Sequence, residues 1–473
     1  MKRKYIIGVS GDSGVGKTTL SNLISYLFNE NNVLLLSGDD LHKWERNNPN
    51  WKTLTHFNPE TNNLDLGYNH LTSLKNNHPI YRKKYNHDTG KFDNPVEISP
   101  KNIIIYEGLH SLYHKETLEL IDLKIYVDTD EELTSEWKIK RDTLKRGYSK
   151  EEVKKNITLR KQDKKLFITP QKENADIIIK FVKKNIDEII IDVTTKNCET
   201  KLINKLKKLY FNLCEFINLS KWLSTDISLT QESGGNISIK YDDKILIKSS
   251  GVKMSEINMS NGFVICNRSD INTLFENEYN YNTFIDSLKL NGIGNPSMEF
   301  GFHNLINENV VIHIHPIYLN TILCSKQSKK IISELFSELD YVYLPYTTPG
   351  FELTNLFITK KNKKVYFLEN HGLIIGANTM TEGINLINLI NDKSKNWIYH
   401  HIEEFIETKN KITKNTDGCL FPDAVVFPEK LKNVNQYILD IIEKCCLEPK
   451  FLTEEESIKI LNLESEKKRK NLL

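Results

Sequence analysis

The segment GDSGVGKT at residues 11–18 constrains the fold of this chain more than any other feature. It fits the pattern GxxxxGK[ST], and it lies between an apolar β-branched run at residues 5–9 and a helical pattern at residues 18–28. In such a loop, backbone N–H groups close around phosphate oxygens and the following helix adds positive charge. The predicted nucleotide-binding residues are Gly11, Asp12, Ser13, Gly14, Val15, Gly16, Lys17 and Thr18. Lys17 is expected to bridge the β- and γ-phosphates, and the Thr18 hydroxyl is expected to hold Mg²⁺.

The first 195 residues alternate short buried strands with helical segments. Strands are predicted at residues 5–9, 33–36, 102–106, 123–127 and 176–181, and a further helix at residues 131–144. This alternation predicts an α/β fold with a mainly parallel sheet, in which ligands bind at the carboxyl ends of the strands.

Acids and cations follow these strands. Asp39 comes just after the second strand, where a carboxylate can accept a proton from a substrate hydroxyl. Glu107 ends a buried strand and suits Mg²⁺ or its water shell. The helical run WKIKRDTLKRGY, residues 137–148, places several cations on adjoining turns, where they can bind an anionic substrate.

Over residues 4–181 the chain resembles the phosphoribulokinase/uridine kinase family, and within it the phosphoribulokinase branch. The resemblance is carried by DDLHKWER, THFNPETN, YNHDTG, YEGLH, WKIKRDTLKRGYS and PQKENAD. It implies ATP as phosphoryl donor, Asp39 as general base, with Asp40 as the alternative, and Glu107 as the magnesium-side acid. It further implies substrate contacts by His42 and Arg46, and contacts to sugar phosphate or ATP by Lys138, Arg141 and Arg146.

The second half begins after a polar, non-periodic stretch at residues 194–200, which predicts domains at 1–195 and 200–473. Helices are expected at residues 202–223, 299–307 and 381–407, and strands at 236–241, 244–248, 263–267, 310–315 and 364–368. The pattern predicts an α/β domain with a mixed or more antiparallel sheet, followed by a charged helical tail from residue 431.

Three histidines and a glutamate form a candidate metal site in this half. His313 and His315 are two residues apart on a predicted strand, so both side chains face the same way. Two such imidazoles can chelate a divalent metal, and His371 is a third candidate. Glu299 is suited to move a proton beside a Lewis-acid metal. Two turns rich in small residues, SGGN at 233–236 and SSG at 249–251, suit a phosphate dianion.

Across residues 205–405 these motifs resemble the class II aldolase/adducin family, in which GGN, SSG, PSxE, HxHP and NHG occur in this order. The resemblance implies Zn²⁺ bound by His313, His315 and His371, and Glu299 as acid/base. It implies a phosphate cradle of Gly235, Asn236, Ser250, Gly251 and Ser297. Met298 departs from the family pattern, which commonly has a second serine there. The segment at 417–426 and the tail with Glu464 and Arg469 resemble longer bacterial relatives.

The two resemblances together imply a bifunctional enzyme of carbohydrate metabolism. The first half is expected to phosphorylate a sugar or sugar phosphate, and the second to cleave or form an aldol of a sugar phosphate. Pentulose-phosphate 4-epimerase, dehydratase and decarboxylase activities remain alternatives for the second half, as does a non-catalytic scaffold that senses sugar phosphates. The aldolase-like resemblance also implies a homotetramer formed through the second domain.

Composition narrows the partners and the compartment. The net charge is +2, so no overall field favours nucleic acid or an anionic membrane. No apolar run reaches the roughly 18 residues that a membrane span needs. Seven cysteines without a CxxC pattern, and the absence of a signal-peptide pattern, predict a cytoplasmic protein. The two resemblances imply that its partners are small sugar or sugar phosphate substrates.

Overall fold

The computed structural model describes residues 4–184, 189–196, 200–276, 288–360, 363–408 and 418–472. The chain divides into two compact units, Met1–Phe211 and Asn212–Leu473. The division falls inside one helix of 25 residues, Thr200–Ser224. The limits 1–195 and 200–473 stay predictions about where the chain separates into domains. Among the described residues, no helix combines the length and apolar character that crossing a membrane requires.

The first unit is built on a six-stranded sheet in the order β10-β9-β8-β1-β7-β2. All neighbouring pairs are parallel except β10 with β9, so the sheet is mainly parallel, as predicted. The strands of the first unit are β1 Tyr5–Gly11, β2 Val33–Ser37, β3 Ile80–Arg82, β4 Tyr85–Asn86, β5 Lys91–Phe92, β6 Val96–Ile98, β7 Ile103–Gly108, β8 Leu123–Val127, β9 Ile177–Lys183 and β10 Ile189–Thr195. Its α-helices are α1 Lys17–Tyr26, α2 Leu64–Lys75, α3 Lys115–Leu120, α4 Glu131–Arg146, α5 Lys150–Leu159 and α6 Lys161–Asp163, and α7 is Thr200–Ser224.

The register of this sheet brings the predicted acids and the glycine-rich loop to one edge. Glu107 on β7 lies opposite Val9 of β1 on one side and opposite Ser37 of β2 on the other. The loop after β1 and the short 3₁₀ helix Gly38–Leu41 after β2 therefore start beside Glu107. The core beneath this edge consists of aliphatic side chains such as Ile6, Leu36 and Ile104, which are almost fully buried.

The second unit contains an eight-stranded sheet in the order β14-β13-β12-β11-β15-β18-β17-β16. Its pairs are antiparallel except β16 with β17, which are parallel. The strands are β11 Asn236–Tyr241, β12 Lys244–Lys248, β13 Phe263–Asn267, β14 Lys289–Gly292, β15 Val310–Ile314, β16 Tyr341–Leu344, β17 Val365–Leu368 and β18 Gly372–Ala377. The sheet is mixed, as predicted.

The second unit carries helices along most of its described length, and the last four of them form its C-terminal segment. They are α8 Arg268–Glu276, α9 Phe300–Leu305, α10 Ile317–Leu323, α11 Ser328–Leu335, α12 Phe351–Lys360, α13 Met380–Thr408, α14 Pro422–Val426, α15 Pro428–Lys444, α16 Glu454–Asn462 and α17 Glu464–Leu472. The helical tail predicted from residue 431 consists of three helices, α15 to α17. Pro449 and the Thr453 cap lie between α15 and α16, and the extended Leu463 lies between α16 and α17.

The C-terminal segment is anchored to the second unit by an apolar cluster. Leu420, Phe421, Leu439 and Ile460 are at most 1% exposed and pack with Cys324 of the preceding body. Burial of this kind contributes about 1.5–3 kcal/mol for each large apolar side chain. The tail is therefore an integral layer of the second unit.

Candidate functional sites

The glycine-rich loop of the first unit has the backbone that its sequence requires. Gly16 adopts φ 95°, a left-handed conformation that favours glycine, and a Cβ there would lie 2.8 Å from the Phe181 ring. Helix α1 starts directly after it, at Lys17. The Lys17 ammonium donates to the Asp12 carbonyl at 2.8 Å, so this side chain folds back over the loop.

Thr18 and Glu107 lie together at the start of α1. The Thr18 hydroxyl is 3.3 and 3.4 Å from the two oxygens of the Glu107 carboxylate. Burial raises the pKa of Glu107, and the nearby Lys17 opposes that rise. A hydroxyl beside a carboxylate is an oxygen donor set that Mg²⁺ accepts, so these two residues fit the predicted magnesium role.

Asp39 is held by a histidine to which the sequence reading gave no role. His87 Nε2 lies 3.1 Å from the Asp39 carboxylate. His87 Nδ1 lies 3.2 Å from the Arg146 guanidinium, which can only donate, so Nδ1 accepts and Nε2–H donates to Asp39. Burial alone would raise the pKa of Asp39, but the hydrogen bond from His87 and the charge of Lys17 contribute to lowering it overall. Asp39 is therefore an ionised carboxylate at the edge of the sheet that carries the glycine-rich loop, and His87 fixes its orientation.

Asp40 has a different environment. Its carboxylate accepts from Arg82 Nε at 3.2 Å and from the Tyr85 backbone N–H at 2.8 Å. Arg82 is only 3% exposed. These bonds fix Asp40 in the scaffold, which favours Asp39 as the residue that meets a substrate.

The predicted cations of α4 lie along the same edge. Arg141 pairs with Asp142 at 2.8 Å and its guanidinium is 3.4 Å from the Ser13 hydroxyl of the loop. Arg146 is 3.4 Å from the same Asp142. Lys138 is buried over the Phe57 ring at 5.7 Å, and burial, together with nearby Arg160, lowers its pKa to about 7.

His42 and Arg46 differ in how far their polar atoms are engaged. Within the described residues, the buried His42 Nε2 has no hydrogen-bond partner, which leaves it able to meet a ligand. Arg46 donates instead to the carbonyls of His87 and Asp88. Its guanidinium thus supports the loop that carries His87, a role the sequence did not indicate.

In the second unit, the three predicted metal ligands converge. His313 Nε2 lies 3.0 Å from His315 Nε2 and 3.3 Å from His371 Nε2. His313 lies on strand β15, whereas His315 directly follows Ile314, where the strand ends one residue earlier than predicted. His371 lies in the turn between β17 and β18, and β18 pairs with β15. All three are buried. One ligand nitrogen from each therefore points to a common point.

The hydrogen bonds on the far side of two rings show that this arrangement fits a metal ion. His313 Nδ1 lies 3.0 Å from the Leu373 carbonyl, and His315 Nδ1 lies 3.0 Å from the Asp423 carboxylate. These acceptors require Nδ1–H, so each Nε2 presents a lone pair toward the other ring. Converging lone pairs without protons repel one another, and a cation between them removes that repulsion. Three neutral imidazoles are a donor set that suits Zn²⁺.

Glu299 lies beside the histidines. Its Oε2 is 3.4 Å from His313 Nε2 and accepts from the Asn236 amide at 2.8 Å. Its Oε1 is 3.7 Å from His371 Nε2 and has no hydrogen-bond partner in the described part of the chain. Burial raises the pKa of Glu299 to about 7, against the hydrogen bond from Asn236. A carboxyl group poised near neutrality is suited to accept and return a proton.

The predicted phosphate cradle lines the same cavity as Glu299, His315 and His371. The cradle residues in this lining are Gly235, Asn236, Ser250, Gly251 and Ser297. Gly235 has φ 71°, and a Cβ there would lie 2.6 Å from the His313 carbonyl, so only glycine lets the turn approach β15 this closely. The structure thus gathers all five residues, which come from three separate places in the sequence.

Four further charged residues line this cavity without having been predicted as site residues. They are Lys248, Asp423, Glu466 and Arg469. Lys248 is 2% exposed, and burial, together with the charge of Arg469, lowers its pKa to about 7. The other three come from the C-terminal segment. Residues 417–426 and Arg469 resemble longer bacterial relatives, but that resemblance does not imply a role for them in the site. Residue 417 lies outside the described residues.

Comparisons with known proteins match the two units separately. Residues 6–187 match the model of the phosphoribulokinase/uridine kinase family, and residues 214–396 match that of the class II aldolase and adducin N-terminal domain. A phosphoribulokinase of Synechocystis sp. is 36% identical over 43% of this chain and 61% of the relative. A uridine kinase of Staphylococcus haemolyticus is 34% identical over 43% of this chain and 100% of the relative.

The chain spans about half to three fifths of the length of the phosphoribulokinases it matches. Among solved structures, the N-terminal class II aldolase domain of a conserved protein from Thermoplasma acidophilum is 23% identical, with a TM-score of 0.36 over 40% of this chain and 93% of that one. Phosphoribulokinase from Rhodobacter spheroides is 24% identical, with a TM-score of 0.36 over 44% of this chain and 85% of that one.

Proposed function

We propose that this chain, which belongs to the phosphoribulokinase/uridine kinase family through its first unit, is a bifunctional enzyme of carbohydrate metabolism. Residues 214–396 match the class II aldolase and adducin N-terminal domain. The first activity is the ATP-dependent phosphorylation of a hydroxyl on a sugar or sugar phosphate. The second is the zinc-dependent aldol cleavage or condensation of a sugar phosphate. Both substrates are small molecules, and the proposed compartment is the cytoplasm.

The observation that supports the kinase activity is the ionised Asp39 beside the glycine-rich loop. In the proposed reaction, the loop and Lys17 would hold the phosphates of ATP, and Thr18 and Glu107 would hold Mg²⁺, which neutralises phosphate charge when bound. Asp39 accepts the proton of the attacking hydroxyl, with His87–H keeping its carboxylate in place. His42, Lys138, Arg141 and Arg146 bind the anionic substrate, and Arg46 supports the His87 loop.

Replacing Asp39 with asparagine tests this assignment. We expect kcat to fall by about 10²-fold or more with little change in ATP affinity, because the amide cannot take the proton. The measurement is a coupled ADP-release assay over a panel of pentulose, hexulose and triose phosphates, with ATP affinity from a separate binding titration. Asp40→Asn is the contrasting variant, since its scaffold role predicts lost stability more than lost chemistry. An equal loss of ATP binding in Asp39→Asn would show that Asp39 is not the base.

The observation that supports the lyase activity is the buried Glu299 carboxyl beside three converging imidazoles. His313, His315 and His371 would hold Zn²⁺, which supplies a Lewis acid that polarises a carbonyl or hydroxyl of the substrate. Glu299 accepts and returns the proton, and Asn236 orients its carboxylate. The cradle of glycine and serine residues binds the substrate phosphate through backbone N–H and hydroxyl donors.

Three other reactions use the same residues and are the second candidates for this unit: epimerisation at C4 of a pentulose phosphate, dehydration and decarboxylation. Met298 fills the place of a hydroxyl in the cradle, so the phosphate-binding group differs from the family pattern. Product analysis distinguishes the reactions: aldol cleavage gives two carbonyl fragments, epimerisation gives an isomer, and decarboxylation releases CO₂.

A scaffold that senses nucleotide and sugar phosphate without turnover is the alternative from another class. It has no need for a proton-moving acid in each site. Asp39 lies beside His87 at the edge that carries the glycine-rich loop, and Glu299 lies beside the three imidazoles, which favours catalysis in both units.

We further propose that residues 200–473 assemble as a homotetramer and that residues 1–195 do not. The helix α13 and the charged tail are the proposed interface elements, and a head-to-tail interface whose rotation closes gives a symmetric ring. Light scattering on the two separate fragments is the measurement. The expected masses are about four chains for the second fragment and fewer for the first. A monomeric second fragment would contradict this assembly, whether or not the first fragment dimerises.

A further inference from the structure

We infer that the C-terminal segment, residues 418–472, completes the metal site of the second unit, with Asp423 and Arg469 as positioning residues for the ligand His315. This inference rests on the proposed metal-dependent function. The segment lies beyond residue 396, where the match to the class II aldolase family ends. It therefore adds a layer that the family match does not assign to the site.

Asp423 links His315 to the tail. One of its carboxylate oxygens, Oδ2, lies 3.0 Å from His315 Nδ1, and the other, Oδ1, accepts from Arg469 at 2.8 Å. The Asp423 side chain is only 5% exposed. An acceptor at Nδ1 sets both the tautomer and the ring orientation of a metal-binding histidine. Asp423 therefore directs the His315 Nε2 lone pair at the point shared with His313 and His371.

Arg469 fixes Asp423 in turn. Its guanidinium lies 3.1 and 3.3 Å from the Ser233 hydroxyl, at the start of the phosphate-cradle turn, and 3.3 Å from Glu466. It also stacks on the Phe427 ring at 4.9 Å. One planar group on α17 thus joins the tail, the carboxylate behind His315 and the cradle. Such a fork of fixed donors is a property that lysine does not share.

The docking of the tail does not depend on this contact alone. Leu420, Phe421 and Ile460 anchor the segment in an apolar cluster with Cys324. Removal of the Arg469 guanidinium is therefore expected to leave the tail packed while freeing Asp423. Linkage also requires the effect to be reciprocal: if the docked tail raises metal affinity, bound metal must stabilise the docked tail.

The test compares zinc affinity in the full chain for Arg469→Met, Asp423→Asn and Lys467→Met. Lys467 is exposed on the same helix, so its replacement removes the same charge without touching the site. Competition with a chromophoric zinc chelator gives each Kd. We expect Arg469→Met and Asp423→Asn to weaken zinc binding about 10- to 100-fold. Lys467→Met should match the unmodified chain, and Arg469→Lys should show a smaller loss than Arg469→Met.

A second readout keeps the test independent of catalysis and of misfolding. Hydrogen exchange of residues 464–472 should slow on zinc addition in the unmodified chain and not in Asp423→Asn, while unchanged exchange protection of strands β11 and β15 reports an intact second unit. Zinc affinities of Arg469→Met and Asp423→Asn within twofold of Lys467→Met would overturn the inference and leave the proposed lyase standing. An unmodified chain without tight zinc binding would overturn both.

Discussion

Replacement of Lys17 with alanine is expected to reduce ATP-dependent phosphorylation by at least about 100-fold. The Lys17 ammonium lies against the loop. The carboxylates of Glu107, Asp39 and Asp12 attract its charge, and Arg141 repels it. Removing the charge that spans the β- and γ-phosphates costs orders of magnitude in phosphoryl transfer. ADP release with the best acceptor from the sugar-phosphate panel is the measurement.

The matched control is Lys155→Ala, because Lys155 is an exposed lysine on α5 of the same unit. It should phosphorylate at the unmodified rate. Zinc content and turnover at the second site should be unchanged in both variants, because the hydrogen bond described for Lys17 is to the loop of the first unit. A Lys17→Ala rate above about a tenth of normal would rule out the glycine-rich loop as the phosphate site.

The first site illustrates what a local pattern can reveal. GDSGVGKT requires a strand before it and a helix after it, so the sequence placed the loop between β1 and α1 to within a residue or two. Asp39 and Glu107 follow because parallel strands end at one edge. The roles of His87 and Arg46 did not follow. The first depends on a contact between residues 48 positions apart, and the second on carbonyl positions in a loop.

The second site shows where local pattern fails. HxH on a strand indicates two converging imidazoles, and the register of β15 with β11 and β18 explains how Asn236 and the His371 turn join them. Asp423, Glu466 and Arg469 reach the cavity through the packing of α14 and α17, more than 100 residues after His315. No spacing rule connects them to the histidines. The place of Lys248 in the site could not be predicted from the sequence either, because a lysine at the end of a strand is usually exposed.

The double replacement of His313 and His315 with alanine is expected to remove the bound zinc and at least about 99% of turnover in the second site. Elemental analysis of the unmodified chain should find about one tightly held divalent ion, zinc by preference. Two of three ligands are lost in the variant, and His371 alone cannot hold the ion against a chelator. The measurements are metal content after dialysis and carbonyl-product formation from the active sugar phosphate.

Glu299→Gln separates the metal from the proton transfer. Its amide keeps the shape of the carboxyl but cannot accept a proton, so turnover should fall about 10²-fold or more while zinc is retained. Glu334→Gln, at an exposed glutamate of the same unit on α11, should retain both zinc and turnover. Metal-free protein that still converts the sugar phosphate would refute the zinc site. Glu299 lies beside the three imidazoles, and in that case it would move the proton without a Lewis acid. A Glu299→Gln variant that loses zinc would instead make Glu299 a ligand and leave the proton transfer to another group in the cavity.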